Sequence, residues 1–456
     1  MNNINNVLIN HIISGGGPAI TELRNSILKY SLINNKKNLY DKFLLFLNSF
    51  FEARTDIRRI IYAQKVAEIL LETRDMKELT QVRKIVADLE MSHIIEYKSH
   101  RDHTAHTLYL FLLGVWLYDT IPLIRESYTS KLETQFKTEY SEWYVAHIFL
   151  LQWYYASLLH DIGYIFSELN SNTIEYRRKI DNLFDFKWLE SEVLSEFEDK
   201  EKKWMRDILF KAYQKFKKQY WNKIPYKTYQ SNNPIEIIER IGYMPWIYEI
   251  SLHKGYKNDI YVLFNSNNRE ANELKSFAYK VAKSGYDKKG KGIVDHAIAS
   301  GLLLLQYSTY WFWIIHAIKH MEFKAFKMLT RSFSTSNIDI IIDACRDTAY
   351  HNIQLKNTDK KFNLEEDPLL FLEILCDELS IWERFSASKK NLLDSWQENT
   401  FLESTDIIVH LKPNIIGTCA QFETHNTNFD LSLITNVLDR KLQNWEEVVT
   451  FSRISI

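Results

Sequence analysis

Leu150 to Phe166 reads LLQWYYASLLHDIGYIF, apolar and aromatic almost throughout until His160 and Asp161 interrupt it as neighbours. Burying a carboxylate without a partner costs several kcal/mol, so Asp161 requires a neighbour of opposite charge or a cation. The stretch reads as a buried helix, with Gly163 able to stop it. Glycine (12) and proline (7) are scarce in these 456 residues. Both interrupt helices, so their scarcity points the chain as a whole toward a mostly helical fold.

Hydrophobic residues make up 46% of the chain and charged residues 25%, as in an ordinary globular protein. The net charge of −1 gives no reason to expect a nucleic-acid or anionic-membrane partner through bulk electrostatics. Cys345, Cys376 and Cys419 have no metal-ligand spacing and fit a reducing, cytoplasmic setting. The first residues, MNNINNVLINHIISGGG, lack a basic region before a long apolar run, so no secretory signal is expected. Two stretches invite a membrane reading, TLYLFLLGVWLYDTIPLI and GLLLLQYSTYWFWIIHAI. Asp119 interrupts the first, and Gln306 and His316 interrupt the second, so buried core helices are expected.

Texture divides the chain. Residues 1–90 read as an N-terminal helical region in which SGGGPA (14–19) breaks or starts a helix. Residues 91–166 and 292–385 read as an apolar helical core, with a polar connection near 129–142. Residues 167–291 turn polar, charged and aromatic and read as a helical insertion. Their lysine- and aromatic-rich run KKWMRDILFKAYQKFKKQYWNKIPYK reads as a solvated helix with an apolar stripe rather than a nucleic-acid face. Residues 386–456 form a small α/β extension, with strands at DIIVHLK and NIIGTCAQFE and a closing helix at LITNVLDRKLQNWEEV.

Histidines and aspartates recur at the ends or along the buried faces of these apolar segments. HRDHTAHTLYLFLLG supplies His103 and His106, which share a helix face; KGIVDHAIASGLLLL supplies Asp295 and His296; DTAYHNI supplies His351. EEDPLLFLEILCDELSIWER supplies Asp377 on a helix that Asp367 can cap and Pro368 can open. Each residue alone fits a satisfied core position. Their repetition in four apolar settings fits shared cations, and imidazole with carboxylate suits Mn, Fe, Zn or similar ions.

The ordered set His106, His160–Asp161, His296, His351 and Asp377 resembles the HD-domain metal-dependent phosphohydrolase superfamily, named for its adjacent His-Asp pair. LLHDIGY is similar to that family's central motif and DELSIWER to its last-aspartate helix. The resemblance covers 91–166 and 292–385 and implies an HD-like all-helical core. It implies a first metal on His106, His160, Asp161 and Asp377, with His103 as the substitute for His106. A second ion would take His296 and His351, with Asp161 bridging. The cofactor expected is one or two divalent ions, Mn, Fe, Mg or Zn.

Such a site supports hydrolysis of a phosphate ester or anhydride by metal-activated water. Asp161, Asp295 and His103 are the candidates for proton handling, and Asp295 also for orienting His296. Arg101, Lys291 and Arg346 are the candidate phosphate contacts. A nucleotide is the expected substrate, as a triphosphate, a nucleoside phosphate or a cyclic nucleotide, and a homo-oligomer is an open arrangement. The alternative is a catalytically silent, nucleotide-sensing module on the same fold. GYDKKGKG (285–292) falls short of a phosphate-binding loop, because Gly292 stands where the Mg²⁺-binding hydroxyl belongs and no strand precedes it. His316 and His320 lack the adjoining glutamate of a zinc-protease helix and read as core.

Overall fold

The computed structural model describes residues 3–453 apart from 75, 98–102, 168–172, 184–185, 195–196, 220–230, 232, 242–293, 333–337, 352–360, 381–406, 416 and 427–428. It is mostly helical, with a small three-stranded sheet near the C-terminus. In chain order the helices are α1 Ile4–Ser14, α2 Pro18–Ile33, α3 Leu39–Glu52, α4 Asp56–Glu72, α5 Lys77–Tyr97, α6 His103–Thr120, α7 Pro122–Phe136 and α8 Glu142–Trp153. A π-helical turn, Tyr154–Leu158, extends α8. There follow α9 Tyr164–Ser167, α10 Ile174–Asn182, α11 Phe186–Leu194, α12 Asp199–Gln219, α13 His296–Met321, α14 Phe323–Ser332, α15 Ile338–Tyr350 and α16 Pro368–Leu379. Strands β1 Ile407–Asn414 and β2 Gly417–Thr424, helix α17 Ser432–Lys441 and strand β3 Val449–Arg453 close the chain.

The chain divides into two compact units, Met1–Leu159 with His351–Ile456, and His160–Tyr350. The divisions lie inside the stretches 91–166 and 292–385 that the sequence reading kept as one core.

In the first unit α6 is the central element. Every residue from His103 to Asp119 is buried, as the apolar run from Leu108 to Tyr118 leads one to expect. Helices α1, α2, α4, α5, α7 and α16 and the π-helical turn pack around it. Its one acid near the C-terminal end, Asp119, is satisfied from a distance. Oδ1 accepts from the Ala19 amide at 2.8 Å, Oδ2 accepts from the Ile20 amide at 3.0 Å, and His11 Nε2 stands 2.9 Å from Oδ2. Asp119 therefore caps the first turn of α2, which Pro18 opens. Gly17 leaves room for it, since a Cβ there would lie 2.2 Å from Asp119 Cγ. This is the purpose of the SGGGPA stretch. Before Pro122 the backbone of Ile121 turns extended, so α6 ends and α7 leaves at 90°. Helix α7 continues to Phe136, shortening the expected polar connection from its N-terminal side.

The sheet has the order β1-β2-β3. β1 and β2 run antiparallel with Leu411 opposite Ala420, and β2 and β3 run parallel with Ala420 opposite Val449. Both expected strands are present. The expected closing helix (433–448) stops at Lys441, a 3₁₀ turn forms at Trp445–Glu447, and β3 begins just beyond that segment at Val449.

In the second unit α13 packs against α9, α12, α14 and α15. Among the described residues it is the one straight helix long and apolar enough to cross a membrane, and 88% of its apolar window is buried within the protein. That agrees with its reading as a core helix. The outward face of α12 carries lysines over a buried stripe of Met205, Leu209, Ala212 and Phe216, also as expected. All three cysteines are free and buried, and burial pushes the Cys345 and Cys376 thiols well above their ordinary range.

Candidate functional site

The backbone gives up its α-helical register just before the His-Asp pair. Tyr154–Leu158 form a π-helix, an irregularity that recurs at functional sites because it turns side chains out of α phase. The helix then ends at Leu158, not at Gly163, and residues 159–163 form a turn. Gly163 serves a different end. A Cβ there would stand 2.1 Å from the His296 carbonyl oxygen and 2.5 Å from the Ser300 amide nitrogen, so only glycine allows this approach to α13. The Gly163 amide also donates to Ser300 Oγ at 2.7 Å.

From His160 onward this turn belongs to the second unit and carries its cluster. His160 Nε2 lies 3.3 Å from Asp161 Oδ1, and His296 Nε2 lies 3.6 Å from the same oxygen. His160 and Asp161 are buried, and His296 is about one-fifth exposed. Tyr164 stacks on the His296 imidazole, with centroids 4.0 Å apart and planes 16° from parallel, which holds the ring edge toward Asp161. Two donors each ~2.1 Å from one ion stand about 3.0–3.6 Å apart for right to trigonal angles, so these spacings suit ligands sharing a cation.

The first unit carries the other predicted ligands. His106 Nε2 is 2.9 Å from Asp377 Oδ1, and its Nδ1 is 3.1 Å from Ser380 Oγ. His351 Nδ1 is 3.4 Å from Glu373 Oε1. All five side chains are buried. The N-terminus of α6 is tied down by the buried Glu90 of α5, which accepts from the His103 amide at 2.8 Å and the Thr104 amide at 3.1 Å. Buried Arg83 donates to the Thr104 carbonyl at 2.6 Å and to the Leu158 carbonyl at 2.5 Å, fixing backbone beside His106 and at the end of the π-turn.

Among the described residues, His160, Asp161 and His296 of the second unit, and separately His106 and His351 of the first, offer buried or half-buried nitrogen and oxygen donors of the kind a metal ion takes. The donor chemistry fits a borderline divalent ion. His103 is buried at the start of α6, on the same helix face as His106. Asp295 is the N-cap of α13, its Oδ1 accepting from the Ala297 and Ile298 amides at 3.1 and 3.2 Å, a local structural task beside any chemical one. Arg346 is engaged by its neighbour, Nη2 donating to Asp347 Oδ1 at 2.8 Å. Asp367 occupies the N-cap position of α16 as expected, but no hydrogen bond from its side chain caps the helix. Arg101, Lys291 and the GYDKKGKG loop lie outside the described residues.

The sequence reading passed over Glu90, Arg83, Glu373 and Ser380. For Glu373 the signal was available: like Asp377, it is an acid on an otherwise apolar helix. Comparison with protein-family models, curated proteins and solved structures returned no match.

Proposed function

We propose that this protein is a metal-dependent phosphohydrolase of the HD type, acting on a nucleotide in the cytoplasm. The observation that carries the reading is the gathering of two imidazoles, 3.3 and 3.6 Å away, on one oxygen of Asp161. On this reading His160, Asp161 and His296 hold a divalent ion, and the sequence resemblance adds His106, His351 and Asp377 as further ligands.

A bound divalent ion supplies Lewis acidity toward phosphoryl oxygens and lowers the pKa of water. The residues of the chain do the rest. Asp161 holds the centre of the donor set, and Tyr164 fixes the plane of His296 by stacking. Asp295, next to His296 in the chain, is a proton-handling candidate whose Oδ1 also caps α13. His103 is the other proton-handling candidate. Arg101, Lys291 and Arg346 are the candidate cations for substrate phosphate.

Purified full-length protein should carry a divalent metal by elemental analysis and release a phosphate-containing product from a nucleotide panel with Mn²⁺. Mass spectrometry of that product separates triphosphate release, phosphate release and ring opening. Replacing His160 and Asp161 together by Ala should cut metal content and turnover by ~100-fold or more while leaving the helical signal in place. Metal bound without turnover would favour the nucleotide sensor. Turnover retained in the double variant would remove this site from consideration.

A further inference from the structure

We infer that Arg83 of α5 is a positioning residue, tying together the two stretches of backbone from which His106 and the His160–Asp161 pair emerge. As a statement about metal ligands, it rests on the function proposed above. Arg83 is buried, and its two terminal nitrogens divide three hydrogen bonds between α6 and the end of the π-helical turn. Nη2 donates to the Thr104 carbonyl at 2.6 Å. Nη1 donates to Thr107 Oγ1 and to the Leu158 carbonyl, both at 2.5 Å. Thr104 and Thr107 flank His106 at the start of α6, and Leu158 stands two residues before His160.

Each contact calls for a guanidinium. Leu158 is the last residue of the π-helical turn, and carbonyls at a helix end lack the amide that a further turn would supply. A cation there also suits the negative end of the helix dipole. The Thr107 hydroxyl donates to the Thr104 carbonyl at 3.0 Å, so its oxygen meets Arg83 as an acceptor. That takes one N–H of Nη1 and leaves the other for Leu158. Lysine would bring a point charge where a planar fork of donors is needed. The same face of α5 supplies the other half of the bracket, since Glu90 lies seven residues on and accepts from the His103 and Thr104 amides. Arg83 and Glu90 thus grip the first turn of α6 by its carbonyl and its amides, and His106 leaves a backbone fixed on both sides. Contacts behind the ligands typically carry about 10–100-fold in metal affinity, and Arg83 serves two ligand-bearing segments at once.

Two readouts on the full chain test this. In metal-free protein, Arg83→Gln should quicken amide hydrogen exchange about 10-fold in peptides covering 103–110 and 154–162, with β1, β2 and β3 unchanged. Co²⁺ titration should show about 10–100-fold weaker binding in Arg83→Gln and Arg83→Lys, and guanidinium ion added to Arg83→Ala should restore most of the loss. Thr107→Val removes one of the three contacts and should move both readouts the same way by less. A wild-type chain that binds no Co²⁺, with the local exchange still raised in Arg83→Gln, would overturn the phosphohydrolase reading and leave Arg83 as the tie between the two segments. Exchange raised equally in every peptide would overturn the positioning. So would Co²⁺ affinity equal to wild type in Thr107→Val and in whichever Arg83 variant folds.

Discussion

Glu22 shows how a single acid can be kept in the interior of the first unit. Burial alone would raise its carboxyl, but the hydrogen bond with His147 and the nearby Arg74 charge outweigh that, and its pKa is lowered from the ordinary 4.5. His147 Nδ1 and Arg74 Nη2 stand 2.8 and 3.1 Å from Glu22 Oε1. Because the folded state holds the proton less tightly than the unfolded one, this group's stabilisation is complete above the unfolded value. It is lost as pH falls toward the folded one. Glu22→Gln should therefore cost about 3–5 kcal/mol near neutrality by leaving Arg74 uncompensated. The gap between variant and wild type should narrow in acid. Thermal unfolding of both proteins at a series of pH values measures this, and a gap unchanged from neutrality to strong acid would assign the stabilisation elsewhere.

Elements differ in how much of them could be read beforehand. Helix α6 was legible because an unbroken apolar run needs cover on every side, and β1 and β2 because their β-branched residues are bounded by polar segments. β3 was not: VTFSR is short, mostly half-exposed and defined by pairing with β2 about thirty residues earlier. The π-turn before His160 leaves no mark in composition, and the capping of α2 by Asp119 depends on partners about one hundred residues away. The same holds for the candidate site. The His and Asp residues stood out against apolar neighbours, whereas Ser380 and Glu90 act through contacts that only folding creates. The junction of α9 with α13 gives a prediction at this scale. Gly163→Ala would force the turn away from α13, since the clash is with backbone, at a cost of about 1–3 kcal/mol. A lower unfolding midpoint is the expected result, and a midpoint equal to wild type would show that the turn is free to shift.

At the scale of the molecule, the first unit is built from two separated pieces of chain. Helix α16 belongs to the second piece, and all its residues except Glu378 are buried, against α6, α7, α17 and the π-turn. A chain ending at Tyr350 would lack that cover. It should elute as aggregate on size exclusion and bind a hydrophobic dye, while the full chain does neither. A monomeric, dye-silent truncation would mean that α16 is dispensable for the first unit.

That late arrival has a consequence during synthesis. Some 250 residues separate the end of α6 from α16, and at about 5–20 residues per second the ribosome needs on the order of 10–50 s to make them. Throughout that interval the nascent chain carries the central, buried helix of its first unit without one flank, which makes it a natural client for a chaperone.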